Sequence, residues 1–243
     1  MTKKIAFILG TGRSGTHLLG RIFGSHPSFK EYIEHPPFFD LVTEIATNPS
    51  SKKKLFPKLI KRYKKEFSIL EEQLILEKSH PNLWLVEDLM PVFPNAKFYG
   101  IVRDLRSTVA SMLNHEGVML WYDKIELNAP SKFLGITDQN KHVFSDYPIE
   151  IKCAYRWYSH KEELDRLCEK FPNKVIEVNY EELIKDSDTL LQSIADSFNI
   201  PNLFSPEEFN PDSNSKWKET ISVKQLENLE KFEKVISQTN KVF

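Results

Sequence analysis

Ile5-Ala6-Phe7-Ile8-Leu9-Gly10-Thr11-Gly12-Arg13-Ser14-Gly15-Thr16-His17-Leu18-Leu19-Gly20-Arg21-Ile22-Phe23-Gly24-Ser25 is the stretch that decides the fold. Ile5 to Leu9 is apolar without alternation, as expected of a parallel strand covered on both faces. Five of the chain's eight glycines fall between Gly10 and Gly24. Gly10, Gly12 and Gly15 are placed to let a turn take positive φ and approach a ligand, and Ser14 or Thr16 to cap the helix that follows. Strand, glycine turn and helix together aim backbone N–H groups and a helix dipole at one point, which suits a phosphate or sulfate group.

The spacing from Gly10 to Gly15 is that of a nucleotide phosphate loop, GxxxxGK followed by Ser or Thr, but Thr16 and His17 stand where Lys and Ser/Thr belong. The cation is Arg13, inside the loop. A triphosphatase needs that lysine on the β- and γ-phosphates, so ATP or GTP hydrolysis is not the expected activity.

Composition sets the outer limits. The 243 residues suffice for one domain with a full core, and one domain spanning 1–243 is the expectation. Hydrophobic residues at 40%, charged residues at 28% and a formal charge of −1 describe an ordinary globular chain with no global field for nucleic acid or a membrane surface. Only Thr2-Lys3-Lys4 separates Met1 from the first strand, and no apolar run is long enough to span a membrane; a cytoplasmic location is the expectation. Cys153 and Cys168 lack metal-ligand spacing and read as small buried residues.

Further along, His26-Pro27 stops the first helix, and Tyr32-Ile33-Glu34-His35-Pro36-Pro37 reads as an extended piece ended by prolines, with Glu34 at a strand end. Helices are expected over 38–48 and 53–66, the latter with Leu55, Phe56, Leu59, Ile60 and Tyr63 on one face. Its other face, with Lys54, Lys58, Lys61, Arg62, Lys64 and Lys65, reads as solvated rather than as a dock for an acidic substrate. Strands at 74–78, 96–102 and 175–178 alternate with helices at 83–90, 108–114, 149–170 and 180–198, which predicts an α/β fold with a parallel sheet. On such a sheet the carboxyl ends of the strands would gather Gly10 to Thr16, Glu34, Lys78 and Arg103. Residues 115–148 keep five large aromatics but lose all periodicity and read as a substrate-covering segment; residues 199–220 read as an irregular polar loop before a final helix near 222–237.

In this order, the stretches resemble the sulfotransferases that use 3′-phosphoadenosine 5′-phosphosulfate (PAPS), and among them the tyrosylprotein sulfotransferases and their bacterial relatives. Arg13-Ser14-Gly15-Thr16 is similar to the family loop around the 5′-phosphosulfate, with Gly12 in place of its usual proline. His26-Pro27 followed by Glu34 is similar to the segment carrying the catalytic base, and Glu77-Lys78-Ser79 to the lysine-bearing strand end. Val102-Arg103-Asp104 with Ser111 resembles the 3′-phosphate site, Val178 to Leu183 the late strand-to-helix segment, and Ser215-Lys216-Trp217 the closing loop. The likeness implies a P-loop-like three-layer sandwich, a central parallel sheet flanked by helices. His35 and Pro36 after Glu34 depart from the tyrosylprotein group, as would the expected lack of a membrane anchor.

What the resemblance implies is transfer of a sulfuryl group from PAPS to a hydroxyl acceptor by in-line displacement, with Glu34 as general base, His35 a lesser candidate, and Lys78 and Arg13 as cations on the transferring group and the 5′-phosphate. The implied donor site is Gly12, Arg13, Ser14, Gly15, Thr16, His17, Arg103, Ser111, Tyr180, Ser215 and Lys216, with no metal ligand. A carbohydrate, phenol, lipid or peptide tyrosine would serve as acceptor. The competing readings are a kinase with a modified phosphate loop and a non-catalytic PAPS-binding module.

Overall fold

The apolar run at Ile5 becomes β1 (Lys4–Gly10), the middle strand of a five-stranded sheet, in a computed structural model that describes residues 3–71, 73–205 and 215–239. The other strands are β2 (Phe29–Ile33), β3 (Leu74–Lys78), β4 (Lys97–Val102) and β5 (Val175–Asn179), ordered β2-β3-β1-β4-β5. Every pairing is parallel; Phe7 registers with Glu77 on one side and Phe98 on the other, and Ile33 with Lys78. All carboxyl ends therefore share one edge of the sheet.

The helices are α1 (Thr16–Ser25), α2 (Pro36–Thr47), α3 (Lys52–Ser68), α4 (Val86–Val92), α5 (Leu105–Leu113), α6 (Glu116–Lys124), α7 (Ile149–Lys170), α8 (Tyr180–Lys185), α9 (Ser187–Phe198), α10 (Trp217–Thr220) and α11 (Val223–Thr239). Contacts divide the chain into two units: Met1–Val102 with Glu163–Phe209, and Arg103–Glu162 with Asn210–Phe243.

The first unit holds the whole sheet and has a core on each face. On one side Phe7, Ile75 and Phe98 pack with Phe38 of α2, Tyr63 of α3, Leu89 of α4 and Leu164 of α7. On the other, Ile8, Leu76 and Ile101 meet Phe23 of α1, Leu183 of α8 and Ile194 of α9. Helices, sheet and helices make three layers, and burial on both faces explains why β1 and β3 carry no polar alternation. α3 keeps Leu59, Tyr63 and Phe67 inside while Lys54, Lys58, Lys61, Arg62, Lys64 and Lys65 are exposed, as its periodicity requires.

In the second unit, Asp104 caps α5 by accepting from Ser107 N at 2.9 Å. Arg106 of α5 bonds Glu233 of α11 at 2.9 Å, and Tyr155 packs edge-on to Phe232 with ring centroids 4.9 Å apart. Buried Arg156 lies over the ring of Phe133 at 4.5 Å. Cys153 is buried here, whereas Cys168, in the first unit, is only partly so.

Several boundaries differ from the sequence expectation. Pro36 and Pro37 open α2 rather than close an extended piece, because proline suits the first helical turn, whose N–H groups lack intrahelical partners. Pro91 lies inside α4, which a 3₁₀ turn over His80–Leu85 precedes. The stretch 180–198 is two helices broken at Asp186. Within 115–148, α6 is a regular nine-residue helix whose apolar spacing is too short to stand out from sequence. Of the loop at 199–220, residues 206–214, including Ser213 and Asn214, lie outside the described residues.

Candidate active site

Three strands of the first unit deliver their ends to one place. β1 runs into the glycine turn, β2 ends one residue before Glu34, and β3 ends at Lys78. In the turn, Gly10 and Gly15 take φ of +136° and +101°, but the third left-handed residue is Arg13 at +79°, not Gly12. A Cβ on Gly10 would lie 2.7 Å from Ile101 O and one on Gly15 2.5 Å from Tyr180 Cδ2, so both positions exclude a side chain. Arg13 has no such exemption, and its strained backbone holds the guanidinium on an exposed residue at the loop tip.

Neither Ser14 nor Thr16 is the N-cap of α1, contrary to the expectation. Gly15 holds that position in a left-handed conformation, and buried Ser14 instead donates to Thr11 O at 2.7 Å, with Ile101 O at 3.1 Å. The serine hydroxyl ties the loop to itself and to β4.

Lys78 is fully buried along its stem, which crosses α1 where Gly20 leaves room; a Cβ there would stand 3.3 Å from Lys78 Cγ. Its Nζ donates to Glu34 Oε1 and lies 3.0 Å from His17 Nδ1. His80 Nδ1 approaches the same Glu34 Oε1 at 3.4 Å, and His17 Nε2 is 3.5 Å from Glu34 Oε2. Glu34 has φ of +45° and donates its N–H to Lys78 O at 2.8 Å, a bond one step beyond the β2–β3 register that turns its carboxylate back over Lys78. Two of the sequence-selected residues, Arg13 and Glu34, are thus non-glycine residues in left-handed backbone.

The electrostatics of this cluster are lopsided. Burial alone would raise the Glu34 pKa, but the His80 contact and the Lys78 ammonium outweigh it and hold the carboxyl at about 2. His17 is lowered, by burial and then by the Lys78 charge, which favours a neutral ring able to accept from Lys78. Lys78 is lowered too, burial outweighing the opposing pull of Glu34.

His80 is the member that sequence reasoning missed. It opens the 3₁₀ turn after β3, two residues past Lys78, with its ring 5.8 Å from that of Phe39. A two-residue offset from Lys78 is a weak signal, since only the turn decides where the ring points. His35, the lesser candidate base, packs its ring on Tyr32 and Phe38 at 5.4 and 5.1 Å.

Beside the cluster, the preceding residue Glu77 is buried among hydrogen-bond donors. Ser79 Oγ lies 2.5 Å from Oε1, while Oε2 accepts from Asn82 Nδ2 at 2.6 Å and Ser79 N at 3.2 Å. Burial nevertheless pushes this carboxyl up to about 7.

Tyr180 starts α8 and lies buried over Gly15. The remaining candidates belong to the second unit. Arg103 immediately follows β4, is half-buried, and accepts from Trp157 Nε1 through its carbonyl at 2.9 Å; Ser111 is half-buried on α5. Ser215 and Lys216 are exposed just before α10, and Trp217 is half-buried beneath the Arg106 guanidinium, 5.6 Å from the ring centroid.

The profile described as the Sulfotransferase family matches residues 39–206, more than half of the sequence. The chain belongs to the sulfotransferase family. Lys78, His80, Arg103, Ser111 and Tyr180 fall inside the matched stretch, and the glycine loop and Glu34 precede it. Among curated proteins, this sulfotransferase-family chain is 22% identical over 209 residues to a Caenorhabditis briggsae protein named "Putative protein-tyrosine sulfotransferase", covering 82% of this chain and 66% of that protein. The chain thus spans just under two-thirds of the length of that relative.

Among solved structures, a sulfotransferase from Alicyclobacillus acidocaldarius aligns with a TM-score of 0.54 at 18% identity, covering 94% of this chain and 96% of that one. The sulfotransferase domain of the Synechococcus PCC 7002 olefin synthase aligns at 0.56 and 16% identity, covering 96% and 95%. Both likenesses concern the fold, a P-loop-like parallel sheet between helices. Among the described residues, no helix is long and apolar enough to cross a membrane.

Proposed function

We propose that the chain, read as one catalytic domain, is a PAPS-dependent sulfotransferase in which Glu34 takes the proton of an acceptor hydroxyl. The observation that carries this reading is the convergence of Lys78, His17 and His80 on the Glu34 carboxylate at the strand ends that flank the glycine loop. A carboxylate, a buried cation and an anion-binding loop at one sheet edge are the parts that an in-line sulfuryl transfer requires.

The loop fits a phosphosulfate. Gly10 and Gly15 turn the backbone at positive φ, Arg13 adds a cation at the tip, and α1 presents its positive end behind them. PAPS, when bound, supplies the sulfuryl group and a phosphate leaving group. Gly12, Arg13, Ser14, Gly15, Thr16 and His17 are assigned to its 5′ side, with Tyr180 packed against the loop. The family resemblance assigns Arg103 and Ser111 to the 3′-phosphate and adds Ser215 and Lys216. The sequence pattern gives residues 115–148 an acceptor-covering role, and the resemblance gives 199–220 a closing role.

Glu34 is ionised throughout the neutral range, as a base must be, but its pairing with Lys78 makes it weakly basic. Drawing the Lys78 ammonium toward developing negative charge loosens that pair and raises the basicity of Glu34 when the proton must move. Oε2 is the oxygen assigned to receive the proton, because Oε1 already faces Lys78 and His80. The acceptor is a hydroxyl compound; the name of the C. briggsae relative puts peptide tyrosine first in a screen that includes carbohydrates, phenols and lipids.

The deciding experiment is a thermal-shift series with 3′-phosphoadenosine 5′-phosphate (PAP), adenosine 5′-phosphate and ATP with Mg²⁺. A ligand at about 100 times its Kd stabilises the fold by about 2.7 kcal/mol, enough for a shift of a few degrees. A response confined to the 3′-phosphorylated nucleotide is the expected result. A response to ATP with Mg²⁺ alone would replace this reading with the kinase, and PAP binding without transfer to any acceptor class would favour the binding module.

A further inference from the structure

Glu77 points to the opposite side of β3 from Lys78 and takes no direct part in the cluster around Glu34. Its carboxyl closes the turn by which the chain leaves the strand: Ser79 bonds it through both N and Oγ, and Asn82 through Nδ2. Asn82 Nδ2 also reaches Tyr63 OH of α3 at 3.1 Å, and Asn82 N donates to Ser79 O at 2.9 Å. The two residues that flank this clamp, Lys78 and His80, are those that reach Glu34 from β3 and its turn. Burying a carboxyl is costly where an apolar side chain would fill the core at less expense, so what Glu77 supplies is directional hydrogen bonding.

We propose that Glu77 is a positioning residue for the transfer reaction: with Ser79, Asn82 and Tyr63 it fixes the turn after β3 so that Lys78 and His80 are held together on Glu34. This inference rests on the roles given above to Glu34 and Lys78. All four hydrogen-bonding groups around Glu77 lie on β3, its turn or α3, so the clamp joins the sheet edge to the helix layer behind it. Side-chain donors to Glu77 are distinct from the groups on Glu34, which are Lys78, His80 and, from α1, His17.

The first test needs no catalysis. The Glu34 carboxyl is titrated by ¹³C NMR in wild type, Glu77→Ala, Glu77→Gln and Asn82→Ala, the last serving where Glu77→Ala fails to fold. The expected result is a Glu34 pKa raised by about one unit or more in the two alanine variants, a tenfold gain in proton affinity, and a near wild-type value in Glu77→Gln. The second test separates kcat from PAP affinity. The alanine variants should lose on the order of 10- to 100-fold in kcat per folded molecule with PAP Kd unchanged, and Glu77→Gln should recover most of it. A wild-type Glu34 titration in a folded alanine variant, or a glutamine variant as impaired as alanine, would overturn the proposal. If the wild-type protein transfers no sulfuryl group, the functional reading fails by itself, and the NMR titration still decides the positioning role.

Discussion

Lys78 donates to Glu34 Oε1 across 44 positions of sequence, from a side chain with no exposure to one that retains 27%. The pair forms because β2 and β3 are parallel neighbours registered Ile33 to Lys78, so the residue after β2 meets the last residue of β3. Its energetics give the pair a pH signature.

Glu34 binds its proton less readily in the folded chain, at about 2 against an ordinary 4.5. Its stabilising contribution is therefore complete above about pH 4.5 and disappears as pH falls through about 2. The expected acid loss from this group is on the order of 3 kcal/mol. Urea unfolding of wild type and Glu34→Gln across that range checks it: the stability gap between the two should shrink toward acid pH, and a gap independent of pH would contradict the assignment.

Activity should separate base from binding. Glu34→Gln is expected to lose on the order of 10²- to 10⁴-fold in kcat while PAP affinity stays within a few-fold of wild type. Single-turnover rates with isothermal titration of PAP measure the two quantities independently, and a variant with near-full turnover would remove Glu34 from the chemistry.

Glu77 has the opposite sign. Burial raises it to about 7 from 4.5, so its contribution is complete below about pH 4.5 and is lost as pH rises through about 7. Faced by Tyr63, Ser79 and Asn82, with Lys78 beside it in the strand, the carboxyl ionises at the expense of the fold. Melting temperatures between about pH 4.5 and pH 8 should fall more steeply for wild type than for Glu77→Gln; parallel slopes would count against it.

Gly15→Ala combines two costs, a side chain at φ of +101° and a Cβ 2.5 Å from Tyr180 Cδ2. Together these should destabilise the fold by about 1–3 kcal/mol and weaken PAP binding. In Gly15→Ala/Tyr180→Ala the steric part is relieved and the backbone part remains, so a double-mutant cycle should give a coupling of about 1 kcal/mol. Additive effects would mean that the ring yields freely.

How much of this was legible in advance follows from the range of each interaction. Unbroken apolar runs identified β1, β3 and β4, and their alternation with helices fixed a parallel sheet, because periodicity is a local property of the chain. The glycine turn between strand and helix suggested an anion site at Gly10 to Thr16, and the family resemblance singled out Glu34 and Lys78, which the register of β2 on β3 brings together.

Other features depended on where remote segments meet. Ser14 could be read as a cap until Ile101 O of β4 came within reach of its hydroxyl. Pro36 and Pro37 look like terminators until α2 begins on them. Arg13 takes the left-handed backbone assigned to Gly12 because the tertiary setting of the loop, not intrinsic preference, selects which residue bears the strain. His80 reaches Glu34 only through the fold, and the Glu77 clamp, though its Ser79 and Asn82 partners are near in sequence, is closed by Tyr63 of α3. Sequence by itself determined the strand–loop–helix frame and the residue types at the sheet edge, through φ preferences and periodic burial. The tertiary structure alone decided which side chains share a proton or a charge, because hydrogen bonds and ion pairs act over a few ångströms and form only once distant segments are registered.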